Sequence, residues 1–382
     1  MHGRKSKGAA AFAVLTIASL AIVASAFARA DVAPTAVAAP SASCTGAKIG
    51  FMGPITGDAA FIGKETLGFA KYAIRKLAKG QIKLVEGDTQ LDPAQASTVG
   101  TKFHADASIV AVIGPAGSQE VLAVAPIFKK SERLSFISGS ATKTSLTNGS
   151  IPNFFRVVPN DSVQAPSTAK YIRQILKAKK VFIVDDQTAY SKPLASGVQA
   201  NLRAGGVKVT RNSVNQKVTD FSALVSKIGD DVDVVYLPWQ IAANGQIFGQ
   251  QMKEQGKKAI IFGSDGLDSG DFHIVGSYIS AFAPDIRGIK GNAAFVKGYG
   301  AKFVSNFGPP VYVATNAAIV AIQKACADGT VSRAEVQKQL KATLLPKTVL
   351  GGNLQFTSHG DVKGSKFYIF KLGAGGKKTL VG

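Results

Sequence analysis

Four short runs limit the fold more than anything else in this chain: Ile109–Ile113 (IVAVI), Val181–Val184 (VFIV), Val232–Leu237 (VDVVYL) and Ala259–Phe262 (AIIF). They are apolar with little alternation, as strands are when helices cover both faces of a parallel sheet. Ile109–Ile113, Val181–Val184 and Ala259–Phe262 are followed directly by glycine or acidic turn residues, and the first three runs are then followed by a stretch with helical spacing. Phe61–Lys79 shows that spacing through Ile62, Leu67, Phe69, Tyr72, Ile74 and Leu77. The order is strand Lys48–Met52, helix Phe61–Lys79, strand Lys83–Glu86, helix from Asp92-Pro93, strand Ile109–Ile113, helix from Ser118, strand Leu134–Ile137. It restarts with helix Ser162–Leu176, strand Val181–Val184, helix Ser191–Ala204, strand Val207–Thr210, helix Asp220–Ile228, strand Val232–Leu237, helix Ala242–Gln255 and strand Ala259–Phe262. Right-handed crossovers turn such an order into a doubly wound α/β layer. One layer uses roughly 120 residues, so a chain of 382 residues predicts two Rossmann-like lobes. The remainder reads as helices Asn292–Phe307, Tyr312–Cys326 and Ser332–Thr343 and strands Leu354–Phe356 and Lys366–Leu372, elements that return to the first lobe and then the second.

The first thirty residues read as an address. Arg4, Lys5 and Lys7 precede the apolar run Ala9–Ala28, and Ala28-Arg29-Ala30 forms an A-x-A exit before Asp31, with Ala26-Phe27-Ala28 as a second candidate. This is the pattern of a secretory signal peptide and predicts a periplasmic or secreted protein. Residues 31–45 are rich in Ala, Pro and Ser and read as a flexible tether. Hydrophobic residues make up 46% and charged residues 18% of the chain, which excludes intrinsic disorder. The net charge is +21, and loss of the leader removes Arg4, Lys5, Lys7 and Arg29 but no acid. The basic residues are scattered singly and in pairs, without a basic helix or interleaved aromatics, so no nucleic-acid partner is expected.

Motifs for catalysis are missing. The four histidines stand far apart and none has metal-ligand spacing with Cys or Asp. Gly57…Gly63-Lys64 has one residue too many for a phosphate loop and is followed by Glu65. No Ser lies in a G-x-S-x-G elbow. The expectation is a protein that is not an enzyme and needs no cofactor or metal. What remains is polar chemistry at strand ends, where parallel sheets bind ligands. Pro115-Ala116-Gly117-Ser118 follows IVAVIG. Ser138-Gly139-Ser140-Ala141-Thr142 follows LSFI. Asp185-Asp186 and Tyr190 follow VFIV, and Gly263-Ser264-Asp265-Gly266 follows AIIF. Each also has a structural explanation: Ser118 as a helix cap, the Ser/Thr run as a solvated loop, Asp265-Gly266 as a turn, Tyr190 as packing. Together they describe a cleft with N–H and O–H groups for an anion on one wall and an acid for a cation on the other, the complement of a zwitterion.

At this point the sequence resembles the type I periplasmic solute-binding proteins of branched-chain amino acid ABC transporters, the leucine/isoleucine/valine-binding family. The resemblance runs from about Lys48 to Phe370. It rests on KIGFMGPITGDAAFIGKE, VEGDTQLDPAQA, VAVIGPAGS, ISGSATKTSLT, FRVVPNDSVQAPSTAKYI, DDQTAYSKPLASGVQANLRAGGVKV, TDFSALVSKI, DVVYLPWQ, GSDGL and LQFTSHGDVKG, in that order. It implies two lobes joined by three crossings, near Val157–Asp161, Ala283–Lys290 and Thr348–Asn353, and a flytrap closure on the ligand. The lobes would be 46–159 with 285–347, and 160–284 with 348–382. It also implies that Ser118 and Thr142 hold a ligand carboxylate, that the run Ser140-Ala141-Thr142 supplies backbone groups with the Ser140 carbonyl toward the ammonium, and that Tyr190 and Asp265 complete the polar site. The implied partners are a small amino acid or related solute and an ABC permease, for a protein acting as a monomer.

The departures lie at the side-chain end of the pocket. Ile62 and Gln240 stand where the family has tyrosines, and Trp239 lies beside Gln240, either as a lid or as core. Cys44 and Cys326 fall in the same lobe by the family's topology, so a disulfide between them is expected, with two unpaired thiols as the alternative. Two other classes remain open: a binder of amides, urea or aromatic carboxylates on the same fold, and a ligand-sensing partner of a receptor.

Overall fold

The computed structural model describes residues 42–130, 132–300 and 303–382. The expected leader over 1–30 and the tether up to residue 41 lie outside the described residues. Two separate sheets form the two lobes. The first has five parallel strands in the order Lys83–Asp88, Lys48–Gly53, Ile109–Ile113, Ser135–Ser138 and Phe154–Arg156. Ile109–Ile113 is buried throughout, as its unbroken apolar sequence requires. The second sheet has seven strands in the order Lys378–Leu380, Tyr368–Leu372, Tyr278–Ala281, Ile260–Gly263, Val234–Leu237, Lys180–Asp185 and Lys208–Ser213. The last five are parallel, and the two nearest the C-terminus add antiparallel at one edge. Both sheets are doubly wound α/β layers.

The chain passes between the sheets three times. It leaves Phe154–Arg156 for the Asp161–Gln174 helix of the second lobe. It returns after Tyr278–Ala281 to the Gly308–Ala325 helix, which packs against Ala60–Leu77 and the first sheet. It crosses again from the Arg333–Lys341 helix to the strand Tyr368–Leu372. Val157, Val158, Phe282, Ala283, Leu354, Phe356 and Phe367 join one apolar cluster with the first lobe's core, so the crossings are anchored in that core.

Several elements differ from the sequence reading for local reasons. The helix expected over Asn292–Phe307 is only Ala293–Tyr299, because Gly300 takes the left-handed conformation that ends it. The next helix starts at Gly308, earlier than the expected Tyr312, with prolines in its first turn. Asp220–Ile228 forms a single turn, Ser222–Val225. Phe154–Arg156, Tyr278–Ala281 and Lys378–Leu380 are strands that periodicity did not reveal.

Cys44 and Cys326 are joined as a disulfide, with Cα atoms 5.8 Å apart and 282 positions between them. The closed loop spans most of the described residues. The Cys44→Ser/Cys326→Ser variant is therefore expected to lose about 2–4 kcal/mol of stability in urea unfolding. A difference below about 0.5 kcal/mol would show that the bond does not constrain the unfolded chain.

Candidate functional site

Two loops at the ends of first-lobe strands form one wall of the cleft. Gly114 starts the first of them at φ +101°, and a Cβ there would lie 2.1 Å from the Met52 carbonyl oxygen, so only glycine fits. Ser118, expected as the helix cap, is instead the first helical residue. The cap is Gly117, whose N–H donates to the Glu120 carboxylate at 2.6 Å. Burial holds the Glu120 carboxyl at about 8 despite that bond. With capping assigned to Glu120, the Ser118 hydroxyl accepts from the Lys143 N–H at 3.2 Å. The second loop is knitted to the first: Ser138 Oγ donates to the Pro115 carbonyl (2.7 Å) and Ser140 Oγ to the Ala116 carbonyl (2.9 Å).

The opposite wall comes from the second lobe. Asp265 follows the strand Ile260–Gly263 and is buried. Its Oδ1 accepts from the Tyr190 hydroxyl at 2.7 Å and from Gln164 Nε2 at 2.5 Å, and Gln164 also donates to Ser280 Oγ at 2.9 Å. All of these donors are neutral. Burial is the main cause that raises Asp265 to about 6. The same burial, with Asp265 nearby, pushes the Tyr190 hydroxyl well above its ordinary value. Next to Asp265, Gly266 is required by packing, since a Cβ would lie 2.2 Å from the Trp239 carbonyl oxygen.

The walls meet. Gln119 Nε2 donates to Gln240 Oε1 across the cleft at 3.0 Å, and Asn306 N–H donates to Asp268 Oδ2 at 2.9 Å. Ile241 packs with Ala59 and Leu91 of the other lobe. Between the walls lies a cavity of about 20 Å³ lined by Ile62, Ser118, Ser140, Tyr190, Gln240 and Asp265, together with Leu91, Ala116, Gly266 and Phe307. Six of the nine residues singled out from the sequence thus share one cavity.

The other three do not line it. Trp239 is core and not a lid: its indole N–H donates to the Val184 carbonyl at 2.7 Å, and its ring packs 5.0 Å from Phe221 and 5.4 Å from Phe248. Ala141 is buried, its N–H donating to Ser138 Oγ and its carbonyl accepting from Arg156. Thr142 is buried, its hydroxyl beside the Asp161 carboxylate and its carbonyl accepting from the Asp161 N–H.

The periplasmic binding protein family model matches residues 46–377. The chain belongs to the periplasmic binding protein family. A Leu/Ile/Val-binding protein homologue of Brucella abortus is 32% identical over 345 residues, covering 86% of this chain and 91% of the relative. The solved leucine-binding protein LivK of Thermotoga maritima has a TM-score of 0.79 at 20% identity, covering 88% and 98% of the two chains. The branched-chain amino acid transporter substrate-binding protein LivJ of Streptococcus pneumoniae, solved with isoleucine, has a TM-score of 0.77 at 24% identity, covering 88% and 99%.

Sequence reasoning passed over three groups that shape the site of this periplasmic binding protein. Asp161 opens the Asp161–Gln174 helix and is buried, with the Thr142 hydroxyl beside its carboxylate. Burial first, and then Asp265, raises it to about 7. Gln164, three residues later on the same helix face, is the bridge to Asp265. The motif NDSVQ contained both, but it reads on its own as a helix start. Arg156, fully buried on the last strand of the first sheet, donates to the carbonyls of Ala141 (3.1 Å) and Lys143 (2.8 Å).

Proposed function

We propose that this periplasmic binding protein captures a small α-amino acid with an apolar side chain between its lobes and delivers it to the permease of an ABC importer. The observation that carries this reading is the placing of Asp265, a buried acid held only by neutral donors, on the same cavity as Ser118 and Ser140. A charge buried without a protein counter-ion is costly, and a ligand ammonium removes that cost. The hydroxyl- and N–H-bearing loops opposite suit the ligand carboxylate. Ile62, Leu91 and Phe307 supply apolar lining for the side chain. The Leu/Ile/Val-binding relatives point to the same ligand class. Closure of the lobes gives a permease a shape to read.

Calorimetry with leucine, isoleucine, valine and alanine, beside acetamide, urea and benzoate, tests the reading. At least one of the amino acids is expected to bind at micromolar Kd or better, with no comparable binding of the last three. Benzoate or amide binding with no amino-acid binding would overturn it. The acids also set a pH dependence. Ammonium binding needs Asp265 ionised, so amino-acid affinity is expected to rise from pH 5 to above about 7, as Asp265 (about 6) and Asp161 (about 7) lose their protons. Stability of the ligand-free protein runs the other way. A carboxyl raised on folding stabilises most below its unfolded value, and that contribution is lost as pH rises through the folded value. Urea midpoints are thus expected to fall, and amino-acid Kd values to drop, over the same interval.

A further inference from the structure

A second cavity, of about 230 Å³, lies at the hinge and shares no residue with the cleft. All three crossings contribute to its wall: Val157 from the first, Phe282 from the second, Leu350 and Leu354 from the third. These side chains, with Val313 of the Gly308–Ala325 helix, make an apolar floor. Lys363 and Lys366 line the same cavity and are exposed. Neither lysine has an ion pair among the described residues, and no lining residue is acidic. Lys366 Nζ stands 5.1 Å above the Tyr368 ring, which also lines the space. The cavity thus joins an apolar floor, an aromatic face and two cations without counter-charges.

We propose that this hinge cavity is a second binding site, for a small organic anion carrying an aromatic ring. The ring covers the floor between Phe282 and Leu354, and the anionic group meets Lys363 and Lys366. Few other occupants satisfy both halves: an aliphatic cation is repelled by the lysines, and an inorganic anion leaves the floor wet. Because every crossing supplies a wall, hinge bending must change the cavity. The cavity has this form while the lobes touch across the cleft, so its occupant favours the closed arrangement. By linkage, it then tightens whatever the cleft binds.

The probe is 8-anilinonaphthalene-1-sulfonate, followed by fluorescence on the mature, disulfide-bonded protein. One site is expected. Lys363→Glu/Lys366→Glu is expected to weaken the dye at least tenfold, while Ser118→Ala, a change in the cleft, leaves it within twofold. Both lysines are exposed, and an unchanged urea midpoint shows that the double variant stays folded. Dye affinity that ignores the lysines, or that follows Ser118, overturns the site. Leucine calorimetry with and without saturating dye then reads the coupling, which rests on the amino-acid reading of the cleft. Leucine is expected to bind at least threefold tighter with dye present, and equal affinities overturn the coupling. Lysine-dependent dye binding in a protein that binds no amino acid would uphold the hinge site while removing the cleft reading.

Discussion

Asp265→Asn is expected to weaken amino-acid binding about 100-fold or more while leaving the ligand-free protein at least as stable. The asparagine keeps the shape and an oxygen able to accept from Tyr190 and Gln164. What it removes is the charge. Among the described residues no cation forms an ion pair with Asp265, and Asp161 nearby adds negative potential. A bound ammonium would be the counter-ion of this acidic wall. Removing one partner of a buried ion pair costs about 3 kcal/mol or more, which is about a hundredfold in Kd. Without ligand the sign reverses, because the buried acid carries a desolvation cost that the amide does not. Tyr190→Phe removes one neutral donor from the Asp265 carboxylate and is expected to cost less, about 2 kcal/mol. The decisive comparison is calorimetry against urea unfolding. Affinity lost together with stability would mean general damage to the fold, and affinity retained would show that Asp265 does not face the ligand's charge.

The parts of this fold that were legible from sequence are those fixed by local chemistry. Unbroken apolar runs such as Ile109–Ile113 admit one environment, so they name their strands. Phe154–Arg156 and Tyr278–Ala281 are too short to show a period, and they exist as strands because neighbours pair with them. In the site, the types at strand ends were legible, but their directions were not. Trp239 and Gln240 are adjacent but lie past the strand end at Leu237, where the chain bends and no periodicity fixes which way a side chain points. Gln240 lines the cleft, while Trp239 lies against Phe221 and Phe248. Whether Ser118 was a cap or a ligand group depended on Glu120, two residues on, whose carboxylate takes over the capping bond. Leu91 and Phe307 reach the cavity from loops whose sequence carries no sign of where they fold back.

Arg156 supplies the largest expected stability effect, and it connects the third crossing to the first-lobe wall of the cleft. Its guanidinium is fully buried and donates from Nε to Asp361 Oδ1 at 2.5 Å, with Nη2 bonding the Thr147 hydroxyl. Burial pulls the Arg156 pKa down and Asp361 pushes it back up. Asp361 belongs to the third crossing and also accepts from Thr147 (2.8 Å) and Asn160 (3.3 Å). The remaining bonds go to the carbonyls of Ala141 and Lys143, on either side of Thr142. One side chain thus ties a crossing to the loop that lines the cleft. Arg156→Met takes the cation from Asp361 and one donor from each of two carbonyls, and is expected to cost about 3–5 kcal/mol in urea unfolding. Arg156→Lys keeps the charge but presents a compact ammonium in place of a planar fork, so it cannot meet acceptors on three sides. It is expected to recover part of the stability and little of the affinity. That split separates anchoring of the loop from mere neutralisation of Asp361. If the lysine variant binds leucine as tightly as the parent, charge alone suffices and the fork has no role in setting the loop. If Arg156→Met costs under about 1 kcal/mol, the tie between hinge and ligand wall is held elsewhere.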